Sequence, residues 1–390
     1  MSKIKERRQR TAEAEIDNKA IVPQNGDTKA KTYPSKKVLV VLLIIVAVIA
    51  LFLLIVNAWV DSYASAFAEV DIDNAGATVT LDKLPAEKQE FYNNFSNYLK
   101  YAPFKEGYDK AMVNHATASS DIKWADGVYN YVVFAVDDVT KTYESAGTIA
   151  LVSINTNTNK VNYSVIHSDT LVYITTIGEG EAEKEIVGPL VDAYLWGGEA
   201  LLARAVQDNY GVNVNGYVEL SYSAMAASVD TFGTITIENA TADIVNDVND
   251  MIATLKAFEG FENLENVTLN DNKITLNGKQ TVAYIKAREM SNYNPIKDIA
   301  KSLSESVLSG GLGSIIKTLD TAKANVSASI ARYDFGSLLQ HGITNSVALD
   351  KNIETGSATK AYHVPNVSVC DYTAERTALV NMIYPVSAEK

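Results

Sequence analysis

The chain has 390 residues, of which 47% are hydrophobic, and a formal net charge of −13. That length can fill a sizeable hydrophobic core and a smaller second unit. The acidic balance argues against nucleic acid as a partner, because phosphate binding needs clustered Lys and Arg. The single cysteine, Cys370, excludes an intrachain disulfide and a cysteine-based zinc site.

The N-terminal part divides into a polar tail and an apolar run. Residues 1–37 hold ten Lys or Arg against five Asp or Glu, and they predict a disordered cytoplasmic tail. Val38–Val56 is an uninterrupted apolar run, long enough to span a bilayer, and Trp59 follows at interfacial depth. A cleaved signal peptide is the alternative, but the tail and the run are both too long for one. The sequence therefore predicts a transmembrane helix at 38–58 that stays in the plasma membrane, with the C-terminal bulk outside.

The next segment, 59–125, has helical periodicity and predicts a helical stem. Phe91, Phe95 and Leu99 share one helical face, and Pro85 suits the first turn of a helix. No residue type in this segment suggests catalysis. We expect the stem to hold the following domain, residues 126–390, away from the membrane.

Three consecutive segments then predict the strands of a sheet: Tyr129–Val136, Gly147–Ile154 and Lys160–Ile166. Each is rich in β-branched and aromatic residues and is bounded by Asp, Asn, Gly or Ser. The first two are nearly continuous apolar runs, which is typical of strands buried on both faces.

Polar residues follow two of these strands. Asp137 and Asp138 come after the first strand, and His167 and Asp169 come after the third. Ligands of α/β proteins usually bind at such strand ends. Two interpretations of the Asp137–Asp138 pair are open, a strand-terminating turn and a metal site. Asp169 can equally cap a turn or contact a ligand, whereas His167, which has no Ser or Cys partner motif, is interpreted as structural.

The C-terminal half alternates predicted helices and strands. Gly197–Gly198 predict a turn into a helix, and Val212–Leu220 predicts a strand. Apolar helical faces recur from Pro295 onward, and Glu375–Tyr384 predicts a closing helix. The alternation predicts an α/β protein.

The motifs resemble those of the LytR-CpsA-Psr (LCP) family of cell-envelope proteins over about residues 128–330. The matching motifs are Ala135-Val-Asp137, Leu151-Val-Ser-Ile-Asn155, His167-Ser-Asp-Thr170 and Leu276-Asn-Gly278-Lys-Gln280-Thr-Val-Ala-Tyr284-Ile-Lys286-Ala-Arg288. The resemblance implies an α/β fold with a central mixed β-sheet flanked by helices. It also implies a membrane-anchored phosphotransferase in bacterial cell-wall assembly. Such an enzyme attaches an anionic glycopolymer from polyprenyl pyrophosphate to peptidoglycan.

The resemblance also implies roles for individual residues. Asp137 would hold Mg²⁺ and act in catalysis with Arg288, while Lys286, Asp169 and Asp138 would bind the ligand. For Arg288, a simple reach into solvent is the alternative interpretation.

Several positions depart from the family pattern. Its second magnesium-associated Asp falls at Gly147, two of its arginines fall at Ser145 and Ser168, and Lys286 replaces another. Lys keeps the charge of Arg but loses the two-pronged hydrogen-bonding geometry. We therefore expect a pseudoenzyme-like relative that binds polyprenyl-linked polymer with catalysis weakened or lost. The alternative is an active phosphotransferase. Expected partners are the glycopolymer, peptidoglycan, the lipid bilayer and active LCP paralogues.

Overall fold

The computed structural model describes residues 67, 69–140, 146–178 and 183–290, and within 298–385 the stretches 298–299, 302, 317, 320, 326–331, 334, 336–338, 348–355, 360–363 and 366–385. The predicted tail and transmembrane helix lie outside these residues. Among the helices that are described, none is long and apolar enough to cross a bilayer. All described residues belong to one compact unit, Asn57–Lys390.

Seven α-helices are described, numbered here in chain order, together with a 3₁₀ turn at Leu81–Lys83. The helices are α1 Ala86–Tyr98, α2 Ala102–Ser119, α3 Asp192–Tyr210, α4 Tyr222–Phe232, α5 Ala242–Leu255, α6 Gly278–Met290 and α7 Tyr372–Ile383. The strands are β1 Val128–Val136, β2 Ala146–Asn155, β3 Lys160–Ile166, β4 Leu171–Ile177, β5 Lys184–Pro189, β6 Gly216–Ser221, β7 Ile235–Glu238, β8 Lys273–Leu276, β9 Val326–Ser329, β10 Ala348–Thr355, β11 Lys360–His363 and β12 Asn366–Val369.

The predicted mixed sheet is confirmed. Six strands run in the order β10-β3-β2-β1-β6-β9. Strand β1 is antiparallel to β2 and parallel to β6, and β3 is antiparallel to β2 and parallel to β10. Strands β1, β3, β6 and β10 therefore all end at the same edge of the sheet. We call this the carboxyl edge and define it by the residues that follow β1, β3 and β6: Asp137–Asp138, His167–Thr170 and Tyr222.

The main core lies between one face of the sheet and α3. Val132, Phe134 and Leu151 from the sheet pack in one buried cluster with Trp196 and Leu202 from α3. Each of these side chains is at most 1% exposed. The nearly continuous apolar runs of β1 and β2 thus reflect burial in a layered core.

The predicted turn at Gly197–Gly198 interrupts α3 with non-helical backbone, φ being +68° at Gly198. A Cβ on Gly197 would lie 2.4 Å from the carbonyl oxygen of Gly76. No side chain larger than hydrogen fits there, so the pair allows the segment before α1 to approach the helix closely.

A second core is built from α4, α5, α6, β7 and β8. Buried members include Val229, Ile235, Ile252, Leu276 and Val282. This core fixes the position of α6, whose C-terminal half carries two of the predicted site residues.

The helices within the predicted stem pack into the same compact unit as the sheet. Phe104 of α2 is buried with Leu171 of β4 and Val369 of β12. At α1, the Lys88 ammonium lies 2.7 Å from a carboxylate oxygen of Asp192, and the Asp192 side chain is fully buried.

Candidate functional site

The end of α6 meets the end of β1 at the carboxyl edge. The Lys286 ammonium lies 2.5 Å from Oδ2 of Asp137, and both side chains are less than a fifth exposed. The same ammonium lies 5.3 Å from the ring centroid of Tyr222, the first residue of α4. A cation at that distance from an aromatic face is stabilised by the ring. The structure thus brings together two predicted site residues that are far apart in sequence.

The structure at the start of α6 explains the residue types in the first part of the Leu276–Arg288 motif. Asn277 accepts a hydrogen bond from the Gln280 amide, while the Gln280 side chain accepts one from the Asn277 amide, which is a capping box. A Cβ on Gly278 would lie 2.0 Å from the Ala226 carbonyl oxygen of α4. The cap and the close approach of the two helices set where α6 begins, and therefore where Lys286 lies two turns later.

The two carboxylate oxygens of Asp137 receive four hydrogen bonds. Oδ1 accepts from the backbone amides of Val139, at 3.1 Å, and Thr140, at 2.9 Å. Oδ2 accepts from the Thr140 hydroxyl and from Lys286. Partial burial acts to raise the pKa of Asp137, but the hydrogen bonds from Lys286 and Thr140 outweigh it and hold the pKa below its usual value.

This arrangement bears out the turn interpretation of Asp137 and adds an ion pair that neither interpretation included. The amide hydrogen bonds make it the acceptor of a turn that ends β1, and the Lys286 contact makes it the holder of a cation. Thr140 was missed by the sequence reasoning, although an Asp followed three residues later by Thr is a recognisable turn signal.

Asp138 stabilises the start of α4. Its Oδ1 accepts the Ser223 amide at 3.0 Å, and the Ser221 side chain accepts the Ala224 amide at 3.0 Å. Both side chains therefore act as helix caps. Tyr222 carried no signal in the sequence, because its role depends on the approach of α6.

Arg288 is half-buried near the C-terminal end of α6. Side chains two residues apart in a helix do not face each other, so Arg288 leaves α6 on the side opposite to Lys286. The side chains of Lys286 and Arg288 therefore extend from α6 in different directions.

The hydrogen bonds of Asp169 connect two segments of the fold. Its carboxylate accepts the Ser368 hydroxyl at 2.6 Å, and its carbonyl accepts the Ser368 amide at 2.9 Å. It thus ties the β3–β4 turn to β12. Strand β3 lies two strands from β1, about 10 Å away across the sheet, so Asp169 is separate from the Asp137–Lys286 pair.

The residues that the structure describes at the end of β1 do not fit Mg²⁺. A carboxylate offers about four lone-pair positions, and four donors already contact that of Asp137. Gly147, at the second carboxylate position of the family pattern, lies at the irregular pairing opposite Ala135 and Val136 and supplies no ligand. Within the described part of the chain, no group of three His, Cys, Asp or Glu side chains could hold a metal ion. The predicted magnesium role of Asp137 is therefore not supported by its surroundings.

Of the two serines that stand where the family pattern has arginine, the structure describes one. Ser145 lies outside the described residues, and Ser168 lies in the turn after β3. Neither supplies the charge of the arginine in the family pattern.

Comparison with known proteins identifies the class to which this fold and site belong. The profile of the LytR_cpsA_psr family matches residues 96–360, about two thirds of the chain, and the chain belongs to this family. The resemblance inferred from the motifs is thereby confirmed.

Two curated relatives carry the name polyisoprenyl-teichoic acid–peptidoglycan teichoic acid transferase TagU. The protein of Oceanobacillus iheyensis is 24% identical over 163 residues, which cover 42% of this chain and 44% of the relative. That of Bacillus subtilis strain 168 is 24% identical over 188 residues, covering 48% and 52%. The chain thus spans about half the length of the curated relatives it matches.

Solved structures of similar proteins include TagT bound to LI-WTA, at 15% identity and a TM-score of 0.49, covering 67% of this chain and 93% of that one. Another is protein gbs0355 from Streptococcus agalactiae, at 18% identity and a TM-score of 0.49, covering 69% and 89%.

Proposed function

We propose that this protein binds polyprenyl-pyrophosphate-linked glycopolymer during cell-wall assembly, with its own transfer activity weakened or lost. In this proposal it is a single-pass protein of the plasma membrane, with a cytoplasmic N-terminus and an extracytoplasmic C-terminal domain. Peptidoglycan and active paralogues of the same family are its further partners. Family membership and the names of the curated relatives support this substrate class.

The observation that carries the proposal is the state of Asp137. Transfer of a phosphoglycosyl group forms a bond from an acceptor oxygen to phosphorus and breaks the bond to polyprenyl phosphate. The acceptor hydroxyl must also lose its proton, and a good general base for that step has a pKa near the working pH. Asp137 accepts four hydrogen bonds and its pKa lies below its usual value, so it is a poor base.

The charged residues that are replaced in this chain also argue for weakened transfer activity. A pyrophosphate in transfer needs cations or a metal on the phosphoryl oxygens. Gly147 and Ser168 offer neither. Loss of one such electrostatic contact typically lowers the rate about 10²- to 10³-fold.

One observation favours an active phosphotransferase as a second candidate. The Lys286 ammonium keeps a positive charge at the carboxyl edge and is held in place by Asp137 and Tyr222. A transferase that works slowly through lysine would have this arrangement.

Binding and turnover can be measured on the same preparation. The full chain in detergent micelles is titrated calorimetrically with farnesyl pyrophosphate as a short polyprenyl pyrophosphate, with farnesol as the headgroup control. We expect saturable binding of the pyrophosphate but not of farnesol.

Turnover is followed as release of polyprenyl phosphate from a glycopolymer-linked donor in the presence of peptidoglycan. We expect none above background. Catalytic release that requires Lys286 would establish the second candidate instead, and absence of farnesyl pyrophosphate binding would overturn both.

A further inference from the structure

The ion pair between Asp137 and Lys286 joins opposite charges where the family pattern has a magnesium site. In that pattern two carboxylates balance a divalent cation. Here one of the two positions is Gly147, and the remaining carboxylate contacts a single ammonium. At Asp137 itself, one negative charge is thus paired with one positive charge.

Mg²⁺ has two obstacles at this place. It binds through carboxylate oxygens in near-octahedral geometry, and the acceptor positions of Asp137 are already used by Val139, Thr140 and Lys286. A metal ion on Oδ2 would also lie beside the Lys286 ammonium, and two neighbouring cations repel each other at low local dielectric.

Lys286 itself has spare capacity. An ammonium carries three N–H donors, and the Asp137 contact uses one of them. The side chain is 17% exposed, so part of it reaches the surface at the carboxyl edge. Asp137 and Tyr222 restrict its position, which reduces the entropy lost when it binds a ligand.

We propose that this protein binds the pyrophosphate group of its ligand without a metal ion, with Lys286 as the direct contact and Asp137 as the positioning residue. This inference rests on the proposed function and specifies how its site recognises the diphosphate. In this site the Lys286 ammonium, a monovalent cation, takes the place of a divalent metal ion.

The test compares farnesyl pyrophosphate binding to the full chain in EDTA and in Mg²⁺. We expect equal affinity in both, and a roughly ten- to hundredfold loss in Lys286→Met, from removal of one charged hydrogen bond. Lys286→Arg keeps the charge and is expected to bind in EDTA. The matched control is Lys279→Met, which removes an exposed lysine from the same helix two turns earlier and should leave affinity unchanged.

A second measurement needs no ligand and does not depend on how well Lys286→Met folds. The wild type is titrated with Mn²⁺ alone and followed by electron paramagnetic resonance. We expect no saturable binding that depends on Asp137. Mn²⁺ binding that disappears in Asp137→Asn would overturn the inference.

The outcomes separate the inference from the function on which it rests. Binding only in Mg²⁺, or binding in EDTA that survives Lys286→Met, overturns the metal-free lysine site and leaves the proposed function in place. No binding of farnesyl pyrophosphate under either condition overturns the proposed function itself.

Discussion

Single residues show how a charged group is tolerated inside this protein. The Asp192 carboxylate is fully buried, and it is held by the Lys88 ammonium at 2.7 Å and the Tyr92 hydroxyl at 2.9 Å. Burial raises the pKa of Asp192, while Lys88 and Tyr92 oppose that rise. A buried carboxylate that loses its partner is costly, because little solvent can compensate for the missing charge.

We therefore expect Lys88→Met to lower the free energy of unfolding by about 3–5 kcal/mol at neutral pH. Chemical denaturation measures this directly. Lys105→Met removes an exposed lysine paired with Asp109 on α2, and it should change stability by less than about 0.5 kcal/mol. Equal effects of the two substitutions would contradict the buried-pair interpretation.

The same variant has a predicted pH dependence. Without Lys88 the pKa of Asp192 in the folded state rises further above 3.8. The folded variant then binds more protons than the unfolded chain between 3.8 and that raised pKa, so its stability falls as pH increases through this window. The penalty of Lys88→Met should thus be smaller at pH 4 than at pH 7, and a constant penalty would contradict the assignment.

At the scale of helices and strands, α6 brings Lys286 to the end of β1 and so forms the candidate site. Its capping box and its contact with α4 determine its start, and its second half presents Lys286 to β1. The motif residues Gly278 and Gln280 therefore support the site without contacting it.

We expect Gly278→Ala to destabilise the protein by about 1–3 kcal/mol, since its Cβ would overlap the Ala226 carbonyl oxygen and force α6 away from α4. It should also weaken farnesyl pyrophosphate binding, because Lys286 moves with the helix. Thermal unfolding and calorimetry measure the two effects. Gly76→Ala is the control, as nothing lies within 4 Å of its Cβ position. If Gly278→Ala left both stability and binding unchanged, the two helices would separate easily, contrary to this expectation.

At the scale of the whole molecule, distant segments share one core. Leu379 of the C-terminal helix α7 and Trp196 of α3 are both fully buried in the cluster against the sheet. Elements from the middle and the end of the compact unit should therefore unfold together.

We expect Leu379→Ala to lower stability by about 2–5 kcal/mol through the cavity it leaves. Because the core is shared, the fluorescence of Trp196, measured with Trp59 and Trp124 replaced by Phe, and far-ultraviolet circular dichroism should shift to the same new midpoint. Val113→Ala, at a 67% exposed position of α2, should change stability by less than about 0.5 kcal/mol. Transitions that no longer coincide in Leu379→Ala would show that α7 unfolds as a separate unit.

Much of the fold followed from local patterns in the sequence. The strands β1, β2 and β3 and the glycine turn within α3 could be predicted because β-branched runs and turn residues act over a few positions. The mixed sheet was implied by the family resemblance. The family could likewise be inferred from its motifs. The apolar stretch before Arg288 is short enough to fit a strand or a helix, and packing against α4 and α5 favours the helix.

The sequence alone thus determined the α/β class, the family and the loss of several charges expected for a metal-dependent transferase. Only the tertiary structure decided how the remaining charges are used. Asp137 and Lys286 are 149 positions apart, and no local pattern links them. Their contact depends on the position of β1 in the sheet and on the packing of α6 against α4. Electrostatic interactions act through space, so two residues far apart in sequence can pair. For the same reason Asp138 became a helix cap and Asp169 a tie to β12, where the sequence left a ligand-binding role open.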